Sequence, residues 1–156
     1  MSVEPIRLSV TVRCDLERAF RTFTQEMGTW WPIETHARAV TELEDEDVKV
    51  ERVEFQTFEG GHVLEHMSNG QALPWGEVLV WEPPSGFVLA WKPHGRPTPP
   101  TEVEVRFTAK GDHTLVELEH RAWERVGEDV AEIAAGYAEG WILTLERFRA
   151  KVDEAA

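Results

Sequence analysis

The chain has 156 residues, enough for one domain with a sizeable core, and its seven tryptophans and seven phenylalanines supply large side chains to fill it. A formal net charge of −13 repels phosphate backbones and anionic lipid, so nucleic acid and membrane surfaces are not expected as partners. The one cysteine, Cys14, allows no intrachain disulfide. No apolar run approaches the roughly 18 residues that span a bilayer, and Met1 to Arg7 lacks signal-peptide character. A single cytoplasmic domain over residues 1–156 is the expectation.

Ile6, Leu8, Val10 and Val12 alternate with Arg7, Ser9, Thr11 and Arg13, the pattern of a half-buried strand. Asp15 is placed to cap the next element, where Leu16, Ala19, Phe20 and Phe23 share one face of a short helix that Gly28 ends. Trp30-Trp31-Pro32 opens a second short helical or irregular piece running to about Ala39. The acidic run Glu42 to Asp47 lacks the spacing and central glycine of a calcium loop and reads as a solvated loop. Val48 to Thr57 reads as a strand of imperfect phase, with a bulge as one cause.

Gly60-Gly61 and Ser68-Asn69-Gly70 bracket His62 to Met67 as a strand. Gly76 to Trp81 and Phe87 to Trp91 follow, joined by a Pro83-Pro84-Ser85-Gly86 turn. Beyond a proline-rich loop, Pro93 to Pro100, Val103, Val105 and Phe107 alternate with Glu102, Glu104 and Arg106. Lys110-Gly111-Asp112 then turns the chain into Thr114 to His120. From Asp129 to Val152 the residues Val130, Ala134, Tyr137, Trp141, Leu145, Phe148 and Val152 share one helix face. Gly136 and Gly140 each cost about 1 kcal/mol there relative to alanine. With Ala131, Ala134, Ala135 and Ala138 they make the first half thin. A thin helix lets a sheet approach closely or leaves room for something else.

Strand, two short helices, six consecutive strands and one long helix make an α+β chain with a curved antiparallel sheet wrapped around the terminal helix. The spread Ala19-Phe20…Phe23-Thr24, Trp30-Trp31-Pro32…His36, Gly60-Gly61…Glu65, Trp75-Gly76-Glu77-Val78, Trp81-Glu82-Pro83-Pro84, Trp91, Thr101 to Phe107, Glu119-His120-Arg121…Trp123 and Tyr137…Gly140-Trp141 resembles one family. It looks like the bacterial homologues of the activator of the ninety-kilodalton heat-shock protein ATPase, within the START-like (SRPBCC) superfamily. The resemblance covers nearly the whole chain. It implies a helix-grip fold, a seven-stranded sheet gripping the terminal helix over an internal hydrophobic cavity. One fold hosts many functions, so the resemblance says less about function.

His62 and His66 stand four residues apart, which on a strand is about 13 Å and too far for one ion; no metal and no cofactor are expected. Glu65 is a candidate acid or base if Val63 and Met67 face the core, since burial there would raise its pKa. The opposite phase puts His62, Leu64 and His66 inside, and the residues leave both open. His120 shares a face with Val116 and Leu118, the position of a hydrogen-bonded core histidine or of a ligand contact. His36 is placed for a cavity mouth or a loop cap. Cys14 reads as structural. No phosphate loop, dinucleotide fingerprint or nucleophile elbow occurs.

Trp30, Trp31, Trp75, Trp91, Trp123, Tyr137 and Trp141 are core or, as a set beside a thin helix, the wall of an aromatic-lined pocket. With Phe55, Met67, Phe107 and Gly140, and with Glu65 and His120 as polar handles, they (Trp123 apart) form the candidate ligand-binding set. The expected function is binding of a small hydrophobic, aromatic molecule between sheet and terminal helix. The alternatives are a cyclase- or hydrolase-type enzyme using Glu65 or His120, and a chaperone ATPase-activating module. On the strand Glu77 to Trp81, if Val78 and Val80 face the cavity, Leu79 and Trp81 lie outside. A neighbouring loop or a weak homodimer would then cover them, so a monomer or weak dimer is expected.

Overall fold

The computed structural model describes residues 3–31, 50–91, 100–127 and 129–154. The expected helical piece from Pro32 to Ala39 with His36, the acidic run Glu42 to Asp47 and most of the proline-rich loop lie outside them.

Strand β1 (Ile6–Val12) leads through Asp15, whose carboxylate accepts the Arg18 N–H at 2.8 Å, into helix α1 (Leu16–Thr24). This is an N-cap that satisfies one of the helix's orphan donors. A 3₁₀ turn at Met27–Thr29 follows. Six strands come next: β2 (Val50–Phe55), β3 (His62–Met67), β4 (Ala72–Glu82), β5 (Gly86–Trp91), β6 (Thr101–Lys110) and β7 (His113–Arg121). A second 3₁₀ turn at Trp123–Arg125 precedes helix α2 (Val130–Glu154).

The strands form one sheet in the order β1-β7-β6-β5-β4-β3-β2, every pair antiparallel. The short connections β2–β3, β3–β4, β4–β5 and β6–β7 favour antiparallel pairing, and β1 closes against β7 at the far edge. The sheet curls around α2, which is the helix-grip arrangement. One end of the concave face is filled by aromatic rings. Phe20 of α1 lies 5.0 Å from Trp81 and 5.1 Å from Phe107, and Phe23 lies 5.0 Å from both Trp30 and Phe148. Leu145, Phe148 and Val152 bring the second half of α2 onto this cluster.

Two register shifts re-aim β4. In the first, Val63 pairs with Gly76 but Leu64 with Pro74, so Trp75 is the extra residue. In the second, Val78 pairs with Leu89 and Val80 with Val88, which leaves Leu79 unpaired. A one-residue bulge reverses which face the following side chains take. This corrects the expected phase: Val78 is buried, Leu79 and Val80 are both exposed, and Trp81 turns inward. The indole gains aromatic neighbours there, with Phe55 at 5.8 Å and Phe87 at 6.3 Å besides Phe20. The imperfect phase expected in the second strand is likewise a register shift, between Val50 and Arg52. Gly76 is required where it stands, because a Cβ there would run into the Ala90 carbonyl. Among the described residues no helix is long and apolar enough to cross a membrane.

Candidate functional site

The sheet register settles the open phase of β3. Val63, Glu65 and Met67 point to the concave face and are fully buried, while His62, Leu64 and His66 are half-buried on the other side. Glu65 stands opposite Val53 of β2 and Leu73 of β4. His66 hydrogen-bonds Glu54 at 2.8 Å instead of sharing a ligand with His62. Among the described residues no group of three or more His, Cys, Asp or Glu is placed to hold a metal ion.

At the other side of the concave face, His120 of β7 is completely buried, opposite Val103 of β6 and Ile6 of β1. Its two nitrogens are both engaged. The Trp141 indole N–H donates to Nδ1 at 3.0 Å, and Nε2 lies 2.7 Å from the Thr101 hydroxyl. An indole N–H only donates, so Nδ1 is unprotonated, Nε2 carries the proton and Thr101 Oγ accepts it. Thr101 in turn donates to the Trp91 carbonyl at 3.0 Å. Burial pushes the imidazole down to about 3, from an ordinary 6.5. Trp123 covers the ring at 4.2 Å and donates its own N–H to the His120 carbonyl at 2.9 Å. Tyr137 stands 5.2 Å away, edge-on, and its hydroxyl accepts the Trp91 indole N–H at 3.2 Å.

The structure therefore divides the expected aromatic set. Trp31, Trp91, Tyr137 and Trp141 come together as one wall, with Trp31 at 6.4 Å from Trp91 and 5.9 Å from Trp141, and Trp91 at 5.4 Å from Trp141. Trp30, Phe55 and Phe107 belong to the packed cluster under α1. Trp123 backs the wall rather than joining it. Met67 is buried on β3 beyond Glu65. Trp75 lies in β4 at the first register shift, and its side chain is outside the described residues. Gly140 is half-buried one turn before Thr144, whose hydroxyl donates to the Gly140 carbonyl.

Thr101 was not singled out by the sequence, although it opens a strand and its pairing with Trp91 places it beside His120. Cys14 is buried and burial raises its thiol, the opposite of an activated thiolate. On the convex face, Arg121 ties Glu102, Glu104 and Glu119 together, with Arg7 on Glu119 and Arg106 on Glu104. Partial burial alone would raise the Glu104 carboxyl, but hydrogen bonds from Arg106 and Arg121 outweigh it and hold the group low. Glu119 is lowered chiefly by its hydrogen bond from Arg121. An open groove of ≈ 470 Å³ lies over this network.

A curled antiparallel sheet around a long terminal helix, with buried polar groups and aromatic side chains on the concave face, defines a helix-grip protein. The chain belongs to the family described as activator of Hsp90 ATPase homolog 1-like protein, whose model matches residues 13–153. No curated protein matches it. Among solved structures it is similar to an anthrahydroquino-gamma-pyrone synthase, Txn09, complexed with SUM. That match has 27% identity, covers 95% of this chain and 96% of that one, and has a TM-score of 0.61. It is equally similar in sequence, at 27%, to the self-sacrificing resistance protein CalC from Micromonospora echinospora, over 97% of this chain and 96% of that one, with a TM-score of 0.62. The Aha1 dimer from Colwellia psychrerythraea shares the fold at 12% identity, over 96% of each chain, with a TM-score of 0.62.

Proposed function

We propose that the protein binds a small aromatic molecule between the concave face of the sheet and the first half of α2. One observation carries this reading: the wall of Trp31, Trp91, Tyr137 and Trp141 lies where α2 is thin. From Trp141 onward the inward positions Thr144, Leu145, Phe148 and Val152 are closed by packing, whereas Tyr137, Ala138 and Gly140 stay half-buried. Apolar walls with a few placed polar groups are what small-molecule sites are made of. Glu65 supplies such a group on the facing sheet. The likeness to Txn09, solved in a complex, and to CalC supports the same reading.

The test is a panel of neutral polycyclic aromatics, read by thermal shift and by quenching of tryptophan fluorescence. At least one compound should raise the melting temperature, and Gly140→Leu, which puts a side chain into the thin part of α2, should lose that binding while keeping the fold. A panel that shifts nothing overturns the proposal.

An acid–base enzyme is the second reading, favoured by the likeness to a synthase and by the full burial of Glu65. Its candidate acid or base is Glu65, on the concave face of β3. Turnover of a bound compound that is lost in Glu65→Gln would establish it. For assembly we infer a monomer that forms a weak homodimer through the convex side of β4, where Leu79 and Val80 are exposed next to one another at 40% and 37%.

A further inference from the structure

We propose that His120 is the positioning residue of this site, holding the aromatic wall in its binding geometry through a hydrogen-bond chain that runs in one direction only. The proposal rests on the small-molecule reading above. The chain is Trp141 N–H to His120 Nδ1, His120 Nε2–H to Thr101, and Thr101 O–H to the Trp91 carbonyl. Moving the imidazole proton to Nδ1 would set it against the Trp141 N–H, two donors facing each other in a buried place. It would also turn the Thr101 hydroxyl toward Nε2 and strip the Trp91 carbonyl of its partner. One tautomer alone satisfies every group.

The thin half of α2 has little bulk with which to grip the sheet. At this point the helix is instead fixed by the Trp141–His120 bond, backed by the Trp91–Tyr137 bond. A single imidazole thereby ties β5, β6 and β7 to α2, and sets where the Trp91 and Trp141 rings stand. His120 itself is fully buried beneath Trp123, so it acts through the indoles and not by touching a ligand. Among the described residues the side chains facing it are Trp91 from β5, Thr101 and Val103 from β6, Trp123 from the 3₁₀ turn, Tyr137 and Trp141 from α2, and Ile6 from β1. Among these described residues only Tyr137 carries an ionisable group, and the cause of the lowered imidazole is burial. The neutral form is therefore fixed by enclosure and hydrogen bonding.

Two measurements test this. Nitrogen-15 NMR of the imidazole in the wild-type protein should show a bare Nδ1 and a protonated Nε2, with no titration between about pH 5 and 8. The opposite tautomer, or titration in that range, overturns the proposal. Binding of the neutral fluorescent probe N-phenylnaphthylamine is then compared in wild type, His120→Gln and His120→Leu. Glutamine offers one acceptor and one donor and should bind within a few-fold of wild type. Leucine fills the space without either and should bind about tenfold more weakly. Should the leucine protein not fold, Thr101→Val, which removes the Nε2 acceptor together with the donor to the Trp91 carbonyl, takes its place with the same expectation. Equal binding by the glutamine and apolar variants reduces His120 to packing and overturns the role. If wild type itself binds no probe, the small-molecule reading falls and the role falls with it. That outcome differs from failure of the role alone, in which all variants bind alike.

Discussion

A histidine held neutral inside a core makes folding pH-dependent with a definite sign. The buried imidazole titrates at about 3 and an unfolded one at 6.5, so between those values the unfolded chain binds the extra proton. The contribution is fully present above 6.5 and is lost as pH falls toward 3. Across that interval it is on the order of 5 kcal/mol, a large share of an ordinary domain's stability. Glu104 and Glu119, held low on the convex face, add loss of the same sign at the acid end, below the usual carboxylate range. The His120→Gln protein lacks only the imidazole's share of this loss. Its melting temperature should therefore fall less than that of wild type between pH 6.5 and 4.5, and parallel curves over that interval would refute the assignment. In the sequence His120 was visible as a polar residue on an apolar face, and Glu65 as one of two possible phases. Neither could be resolved further, because what fixes them is cross-strand register: Thr101 reaches His120 only once β6 and β7 are paired, and Glu65 turns inward only once β3 lies between β2 and β4.

At the scale of elements, alternation and turn residues made the strands and both described helices legible, and where they misled the cause is a bulge. Val78, Leu79, Val80 and Trp81 are an unbroken apolar run in the sequence and carry no sign of a change of phase, yet the unpaired Leu79 reverses it and turns Trp81 inward. A bulge satisfies backbone pairing and the burial of one indole together, and that competition is decided by Phe20 and Phe55, remote in the chain, with Phe87 across the hairpin. The thinness of α2 was equally legible, but its two glycines are not equivalent. Gly140 is half-buried beside the aromatic wall, whereas an added Cβ at Gly136 meets nothing within 4 Å. Gly136→Ala should therefore stabilise the protein by about 1 kcal/mol through helix propensity, with ligand affinity unchanged. Chemical denaturation alongside a binding titration checks both halves. A loss of binding would place Gly136, too, within the site.

Across the whole molecule charge dominates, and it gives the proposed self-association a sign that can be measured. Each copy carries −13, so two copies repel at long range. Screening shortens that repulsion from about 30 Å at 0.01 M salt to about 10 Å at 0.1 M. An interface through Leu79 and Val80 is apolar and loses nothing to salt, so the homodimer should tighten as salt is added. An interface through the convex ion-pair network of Arg7, Arg106, Arg121 and their glutamates would behave differently, because contacts between exposed charges weaken under the same screening. Sedimentation equilibrium at both ionic strengths separates the two faces by the direction of the shift. Leu79→Glu, which puts a charge on the exposed side of the bulge, should abolish the dimer and leave the melting temperature nearly unchanged, since that side chain contributes little to the core. A monomer at both salt concentrations and high protein concentration removes the dimer altogether.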